Sequence, residues 1–269
     1  MVKRLKQLRR IGPLVALLLA WQLGSILVGE DRLPSPWRAF HLLLSTASHN
    51  EMIYAQGGGP YGFAPHIWST FWHVAVAATF GAIVGLAYSL LLNLHPAARA
   101  AADSFIEFGR TLPPLLLIPF AAAIIGASDW VRFLTIGFYA ALTISVYAIQ
   151  AFAKVPHQYD DMARLLGSSR TRRVLTVQLP SSIPYLIGPL RWVYSFGLGI
   201  CVVVEYLAAD SGIGRAMKEV TAYSRADLIV VGVIWTLVLA FIFDGLLLAM
   251  LSAGLEWTDR KALLRWISR

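Results

Sequence analysis

The sequence predicts an all-α membrane protein with about six transmembrane helices. Hydrophobic residues make up 57% of the 269-residue chain and charged residues only 14%, and the mean hydropathy is +0.63. Roughly a quarter of the residues of a soluble domain are charged, so most of this chain must lie in lipid. The formal net charge of +8 comes from basic residues that separate apolar runs. This arrangement is typical of membrane flanks and not of a nucleic-acid-binding stripe with stacking aromatics.

Six apolar runs are considered as spans, because about 20 apolar residues cross a hydrocarbon core of roughly 30 Å. The first run follows five basic residues and has the look of a secretory signal. It is longer than a usual signal core, and Glu30-Asp31-Arg32 after it offers no small-residue cleavage pattern, so we expect an uncleaved span. The predicted spans lie near 11–29, 68–92, 112–127, 131–152, 186–208 and 228–253, and the third is the shortest.

The basic residues are distributed unevenly between the two sides that these spans define. Sixteen lie on the side of the amino terminus and six on the opposite side. Because lysine and arginine concentrate in cytoplasmic loops, this bias places both termini and segment 153–185 in the cytoplasm of a multi-pass inner-membrane protein. The six residues assigned to the outer side are Arg32, Arg38, Arg132, Arg215, Lys218 and Arg225.

The predicted organisation is one membrane domain preceded by a separate first helix. Residues 1–30 hold the basic segment and the first span, residues 31–66 form an external Gly/Pro-containing loop, and residues 67–269 form the membrane domain. The Gly-Gly-Gly-Pro sequence at 57–60 is a flexible turn that no lipid-exposed span would tolerate. The loop is either a partner-facing segment or a spacer. No internal repeat is apparent, so we expect no fused double transporter.

Small residues occupy one face of the second predicted span. Ala77, Gly81 and Gly85 follow one another at intervals of four, so the backbone of a neighbouring helix can approach closely there. That neighbour is either another helix of the same subunit or a second copy of the chain.

The most informative stretch lies in the predicted cytoplasmic loop, 154–185. Pro156 can open a short helix with acidic residues in its first turn, and Gly167 can end it. The predicted helix runs near 157–169, is amphipathic and lies outside the membrane. From its residues alone, it is either an ordinary loop helix or a docking element.

The order of residues in this loop resembles the membrane permeases of binding-protein-dependent ABC importers, in particular the nitrate, sulfonate and taurine type. That family carries a Glu-Ala-Ala loop, a glycine a few residues on and a Leu-Pro beyond it. Asp161, Ala163, Gly167, Leu179 and Pro180 match this pattern. The resemblance covers about residues 66–269. Further matches in the same order are Arg110, Pro113, Pro119, Pro184, Leu190, Arg191, Glu205 and Gly214.

The sequence departs from the family pattern at four of these neighbouring positions. Asp161 replaces the usual Glu, Met162 the middle Ala, Pro189 the usual Gly and Gly199 a usual Trp. None of these changes removes the shape of the loop. The two later changes leave open whether the substrate specificity of the family carries over.

The resemblance implies a type I ABC importer permease fold with a cytoplasmic coupling helix. The helix near 157–169 is then expected to dock into a groove of a separate ATP-binding subunit. Asp161 would cap or pair at the groove, Ala163 would allow close approach and Gly167 would make the turn. The implied assembly is a permease homodimer with two cytoplasmic ATP-binding subunits and a periplasmic or extracellular solute-binding protein. The implied solute is small and polar, such as a sulfonate, taurine or nitrate.

The absence of catalytic motifs points to a non-enzymatic subunit. The sequence has no Gly-x-x-x-x-Gly-Lys phosphate loop, and it lacks motifs of membrane enzymes such as His-Glu-x-x-His and Gly-x-Ser-x-Gly. We therefore expect no catalytic residue, cofactor or metal site in this chain, with ATP and Mg²⁺ bound by the partner subunit. The lone Cys201 is expected to be a small buried hydrophobe.

Charged residues near or within the spans are the second group of candidates, because charge in hydrocarbon usually marks a path or a partner. Arg191 and Glu205 lie near opposite ends of the fifth span, roughly 21 Å apart along a helix, too far to pair with each other. For Glu205, a role in the outer gate or the binding-protein interface and a snorkelling or interhelical structural role both stay open. For Arg191, attraction of an anionic solute competes with snorkelling to headgroups or capping the loop. His73 and Asp244 are expected to make interhelical hydrogen bonds.

The alternative function is an ion-coupled secondary transporter that acts without an ATPase. Such a transporter needs coupling-ion sites near the midplane, usually on discontinuous helices in repeated halves. The sequence shows neither repeats nor a midplane acid beyond Asp244. Dependence on an ion gradient without an associated ATPase would favour this alternative.

Overall fold

The computed structural model describes residues 2–55 and 62–254, and the regular secondary structure within these ranges is helical. The predicted turn at 57–60 and the basic carboxyl-terminal segment lie outside the described residues. The helices are α1 (Val2–Val28), α2 (Pro36–Ser48), α3 (Glu51–Ala55), α4 (Phe63–Leu94), α5 (Pro96–Thr111), α6 (Pro114–Ile125), α7 (Asp129–Ala153), α8 (His157–Leu165), α9 (Arg170–Arg173), α10 (Leu179–Ala208), α11 (Ile213–Ala222) and α12 (Ala226–Gly254), with a π-helical turn, Val174–Gln178, before α10.

The apolar helices correspond to the six predicted spans. Four stretches are long and apolar enough to cross a membrane: Phe63–Leu94, Asp129–Ala153, Arg170–Ala208 and Ala226–Leu251. Two shorter apolar stretches, Gly12–Val28 and Pro114–Ile125, coincide with the first and third predicted spans. At 12 residues, α6 is only about 18 Å long, so the third predicted span is shorter than a full crossing.

The fifth predicted span begins earlier than expected. The sequence placed its start near 186, whereas α10 begins at Leu179 and continues directly from the π-helical turn. Pro180 does not interrupt it, because proline is tolerated in the first turn of a helix, where its missing N–H has no partner to lose. Much of the predicted loop 154–185 is therefore helical.

The segment 31–66, predicted as a loop, contains the two helices α2 and α3. Ser35 caps α2, its Oγ accepting from the backbone N–H of Arg38 at 3.4 Å, and Pro36 occupies the first helical position. Both are recognised helix-start signals. Ile53 of α3 is fully buried, so this part of the segment packs against its own unit.

The chain divides into two compact units, which are described separately. The first consists of Met1–Ser69 and Asp210–Val238, and the second of Thr70–Ala209 and Leu239–Arg269. In the first unit, Phe63 and Leu228 are among the residues of a buried apolar cluster that joins α3, α11 and α12. Arg38 of α2 also pairs with Asp227, its Nη2 lying 3.4 Å from Oδ2.

The second unit is held by very close contact between α4 and α7. A Cβ added to Gly81 would lie 2.3 Å from the carbonyl oxygen of Gly137, and one added to Gly85 would lie 2.3 Å from that of Ala141. Ser89 one turn on donates to the carbonyl of Ser145 at 3.0 Å. The small-residue face of the second predicted span thus packs against a helix of the same chain, the first of the two alternatives above.

Candidate functional site

Helix α8 has a well-defined beginning and end. Pro156 is its N-cap. At its C-terminus, the Gly167 N–H donates to the Arg164 carbonyl at 3.0 Å and the Ser168 N–H donates to the Ala163 carbonyl at 3.0 Å. These two bonds form a Schellman motif, which needs a residue of left-handed conformation, and Gly167 has φ +74°. The prediction that Gly167 ends this helix is confirmed, although the helix stops at Leu165 and not near 169.

The outer surface of α8 carries large apolar side chains that nothing in the described chain covers. Met162 is 62% exposed, Leu165 88% and Leu166 85%. Asp161 is also exposed, whereas Ala163 is half-buried and contributes its carbonyl to the helix end. Clustered exposed apolar side chains mark an interaction surface. We call these three apolar residues, together with Asp161, the α8 surface.

The inner side of α8 is fixed by hydrogen bonds to its own chain. Asp160 Oδ1 accepts from Arg173 Nε at 3.1 Å and from Gln178 Nε2 at 3.0 Å. Gln178 Oε1 accepts in turn from Asn93 Nδ2 at 2.7 Å, and Arg170 Nη2 donates to the Asn93 carbonyl at 3.0 Å. These five residues, the Asp160 network, connect α8 to the end of α4 and to the segment leading into α10.

Sequence reasoning did not find the Asp160 network. It selected Asp161, the neighbouring acid, because that residue matched a family position. Asp160 lies in the first turn of α8, but its partners are 13 and 18 residues away along the chain. No local spacing rule connects residues that far apart, so the sequence does not indicate which of the two acids turns inward.

Leu179 and Pro180 lie away from the α8 surface. They occupy the first two positions of α10, and Leu179 packs against a buried cluster that includes Ala148, Phe152 and Leu186. The two residues begin α10, and Leu179 packs this end of the helix against α7. A cavity of about 320 Å³ lies beside them, lined among others by His157, Asp160 and Gln178.

Glu205 is at the centre of a buried charged cluster in the second unit. Its side chain is fully buried; Oε1 accepts from Arg132 Nη1 at 3.2 Å and from Thr70 Oγ1 at 2.9 Å. The Cys201 thiol donates to the same oxygen at 3.2 Å. Arg132 also pairs with Asp129. The cluster therefore joins residues of α4, α7 and α10.

This Glu205 cluster adds contacts that the sequence analysis did not give. Arg132, assigned to the outer basic residues, is fully buried, and its guanidinium is paired with two carboxylates. Cys201 is buried as expected, but it is also a hydrogen-bond donor and not only a hydrophobe. His73 Nε2 of α4 lies 3.6 Å from Asp129 Oδ2 of α7, a polar contact between helices that is longer than the hydrogen bond expected.

Arg191 pairs with Asp244. Arg191 Nε lies 2.5 Å from Asp244 Oδ1 and Nη2 lies 2.9 Å from Oδ2, a two-point contact between α10 and α12. The expected interhelical bond of Asp244 is confirmed. Arg191 thus has a carboxylate on the facing helix as its partner, which the sequence analysis did not consider. In the described ranges, 2–55 and 62–254, no group of three or more side chains is placed to hold a metal ion.

Comparisons with known proteins agree on one family. The model of the family described as "Binding-protein-dependent transport system inner membrane component" matches residues 77–253. The chain is 25% identical over 247 residues to the nitrate import permease protein NrtB of Synechococcus elongatus, covering 89% of this chain and 84% of that protein. It is 26% identical over 244 residues to the taurine transport system permease protein TauC of Escherichia coli, covering 87% and 84%. It is 25% identical over 263 residues to the bicarbonate transport system permease protein CmpB of Synechococcus elongatus, covering 96% and 88%.

Solved structures show the same fold. A chain of the inward-facing MetNI methionine ABC transporter superposes with a TM-score of 0.56 at 21% identity, covering 68% of this chain and 94% of that one. A second crystal form of that transporter gives a TM-score of 0.58 at 19% identity, covering 74% and 98%. Identity at this level carries the fold only.

Proposed function

The chain belongs to the family of binding-protein-dependent transport system inner membrane components, and on that premise we propose that it imports a small solute carrying an oxyanion group. Membership makes it a non-catalytic, multi-pass inner-membrane permease of an ABC importer. Supporting the finer proposal, three relatives of nearly equal similarity are named for nitrate, taurine and bicarbonate. These solutes share acceptor oxygens with negative charge, and they differ in nearly everything else.

The permease works with a separate ATP-binding subunit and a solute-binding protein, as the family description implies. We propose a homodimer with two ATP-binding subunits in the cytoplasm, which hold the ATP and Mg²⁺. Both termini would then lie in the cytoplasm, in keeping with the excess of basic residues on that side.

We propose that α8 is the coupling helix and that the α8 surface binds the ATP-binding subunit. Leu165 and Leu166 would fill an apolar groove, and Asp161 would pair at its edge. Ala163 and Gly167 hold the helix end in shape through the two backbone bonds that close the Schellman motif. Burial of two leucines that are more than four-fifths exposed is worth about 2 kcal/mol each at most.

Motion of α8 is proposed to reach the membrane helices through the Asp160 network. The network ties α8 to the end of α4 and to the arginines and Gln178 ahead of α10. Closure of the ATP-binding subunits would move this assembly as a rigid body between two arrangements, and nucleotide would favour one of them. Leu179 and Pro180 start the helix that receives this motion.

Glu205 and Arg191 are proposed to hold the path helices together. Each ionic contact lies inside the second unit and joins α10 to another helix. A buried pair tolerates little separation, because an unpaired charge in a membrane interior is costly. Opening of a gate would therefore move α10 together with α7 and α12. Glu205 and Arg191 would then stay paired and would not bind the solute during transport.

The test is the effect of Gly167→Asp on coupling, measured in the complex reconstituted into liposomes with its ATP-binding and solute-binding proteins. We expect ATP hydrolysis without matching uptake of taurine, nitrate or bicarbonate. The control is Gly126→Asp, since Gly126 has a similar φ of +78° and equally open surroundings but follows α6. Normal uptake by the Gly167 variant would contradict the coupling role. Uptake driven by an ion gradient without ATP would instead support a secondary transporter.

A further inference from the structure

A cavity of about 340 Å³ in the second unit lies between the α5–α6 junction, α7 and α10. On α7 its wall contains the apolar Leu142 and Val146 and four polar residues, Tyr139, Thr143, Tyr147 and Gln150. The four polar positions recur every three or four residues, so they share one face of the helix. From the first to the last, they extend roughly 16 Å along its axis, about half of a hydrocarbon core. We call this space the Tyr139 cavity.

The Tyr139 cavity is lined with hydrogen-bond donors that the protein does not use. Trp192 Nε1 donates to Tyr139 Oη at 2.9 Å, which leaves the hydroxyl hydrogen of Tyr139 available. Among the described residues, none is hydrogen-bonded to the side chains of Thr143, Tyr147 or Gln150. Polar groups left unpaired against lipid are costly, so such a face belongs on a water-filled space.

Aromatic contacts hold Tyr139 and Trp192 in place. Phe196 packs against Tyr139 with ring centroids 4.7 Å apart and against Trp192 with ring centroids 5.4 Å apart. The Trp192–Tyr139 hydrogen bond closes the group. Rings fixed by two neighbours lose little freedom when a solute binds, which favours binding by preorganisation.

The polar side chains of the lining can donate hydrogen bonds to acceptor oxygens. No described residue around the Tyr139 cavity carries a carboxylate, and the polar side chains are hydroxyls, an amide and an indole. A cationic solute would find no counter-ion there. An oxyanion would receive several O–H and N–H donors. No lysine or arginine is among the described lining residues either, so binding would be weak enough for release, as passage through a path requires.

We propose that the Tyr139 cavity is a solute-contact site in the translocation path, where a small solute is held through the oxygens of a sulfonate, nitrate or carbonate group. The inference rests on the proposed function and adds the contacts that select the solute class. The volume of the Tyr139 cavity, about 340 Å³, is near the lower end of the range for small-molecule sites, which suits solutes of a few heavy atoms.

The first test measures whether a thiol in the cavity prefers an anionic reagent. In the reconstituted complex, Thr143→Cys and Gln150→Cys are treated with the sulfonatoethyl and the trimethylammonioethyl methanethiosulfonates, and each rate is divided by that of a small free thiol. Cys201 is fully buried, so the wild-type complex gives the blank. Phe138→Cys, on the same helix but outside the lining, is the matched control.

We expect both cavity thiols to react above the blank, with a normalised preference of about tenfold for the sulfonate reagent, the equivalent of one hydrogen bond to a charged acceptor. Phe138→Cys should show no such preference. Thiols at 143 and 150 that fail to react above the blank would overturn the proposal, because the cavity would then be closed to solutes. Equal normalised rates, or a preference for the cation, would overturn it as well.

The second test follows uptake with taurine, nitrate and bicarbonate as separate probes. Tyr147→Phe should raise the KM for the transported probe about tenfold, the value of one donor to a charged oxygen. Stimulated ATP hydrolysis should be retained. Tyr206→Phe removes a hydroxyl from α10 outside the cavity and should leave the KM unchanged. An unchanged KM in Tyr147→Phe would refute the site.

The thiol test separates failure of this site from failure of the proposed function, because labelling requires no transport. Uptake of none of the three probes, with the anionic preference intact, would refute the proposed substrate class and leave the cavity standing. Normal uptake with unreactive cavity thiols would refute the cavity alone.

Discussion

The Asp160 network offers a quantitative test of how α8 is seated. Asp160→Ala removes two hydrogen bonds to a carboxylate, one from the charged Arg173 and one from the neutral amide of Gln178. Hydrogen bonds to charged groups contribute about 1.5–3 kcal/mol each when well buried. The side chain of Asp160 is 28% exposed and that of Arg173 16%, so solvent weakens the ionic part. We take about 2 kcal/mol for the sum.

A loss of about 2 kcal/mol corresponds to a roughly thirtyfold increase in local opening of α8. The assay is amide hydrogen exchange at Leu166, Gly167 and Ser168, whose N–H groups close the helix end. Asp161→Ala is the matched control, because it removes the same charge from the next position, where the side chain is exposed. We expect that control to change exchange by less than about threefold.

The same two variants separate seating from docking. Asp160→Ala should retain the ATP-binding subunit but lower uptake per ATP hydrolysed, because a loosely held α8 moves without carrying α4 and α10. Asp161→Ala should act on binding of that subunit. Equal exchange in the two variants, or unchanged exchange in Asp160→Ala, would refute the claim that the inner acid seats the helix.

Three further predictions concern the ionic contacts. Glu205→Gln should reduce the free energy of unfolding by about 3–5 kcal/mol, because it leaves the Arg132 guanidinium short of one buried counter-charge. A strongly lowered melting temperature of the detergent-solubilised protein is the readout. Arg191→Ala should destabilise more than the Arg191→Ala/Asp244→Ala double variant, since the double change leaves no single charge behind; a double-mutant cycle measures the difference, and strict additivity would contradict the pairing. Burial raises the pKa of the Glu219 carboxyl against the opposing effect of a neighbouring arginine, so the protonated form is favoured in the fold. The stability that the protonated Glu219 contributes is fully present below the ordinary pKa of a glutamate and is lost as the pH rises through the raised pKa. The melting temperature should therefore fall less steeply from acid to neutral pH in Glu219→Gln than in the wild-type protein.

The membrane helices were predictable from the sequence because apolar length is a local signal. The helices α4, α7 and α12 coincide with predicted spans to within a few residues. The start of α10 was predicted too late, because the helix extends beyond the apolar run. It begins at Leu179, directly after the π-helical turn, in a more polar part of the sequence. The short helices α2 and α3 were missed because the Gly-Gly-Gly-Pro sequence beyond them dominated the interpretation, although Ser35 and Pro36 signal a helix start.

The candidate site was predictable only where its geometry is local. Gly167 ends α8 through bonds that reach three and five residues back, and the sequence pattern contains that information. The ion pair of Arg191 and Asp244 joins residues 53 apart, and that of Arg132 and Glu205 joins residues 73 apart. These pairings depend on how the helices pack, so reasoning from single spans found neither Asp244 as the partner of Arg191 nor Glu205 as the partner of Arg132.

The different placement of Asp160 and Asp161 fits the coupling role proposed for α8. Its outer face has to remain apolar and uncovered for a partner, as Leu165 and Leu166 are. A nine-residue helix then has little apolar area left with which to hold itself to its own chain. Directional polar contacts can fix such a helix where area cannot, because a charge-assisted bond sets both distance and angle. Asp160, which faces inward, fixes the helix to its own chain, and the neighbouring exposed Asp161 is left for the proposed contact with the ATP-binding subunit.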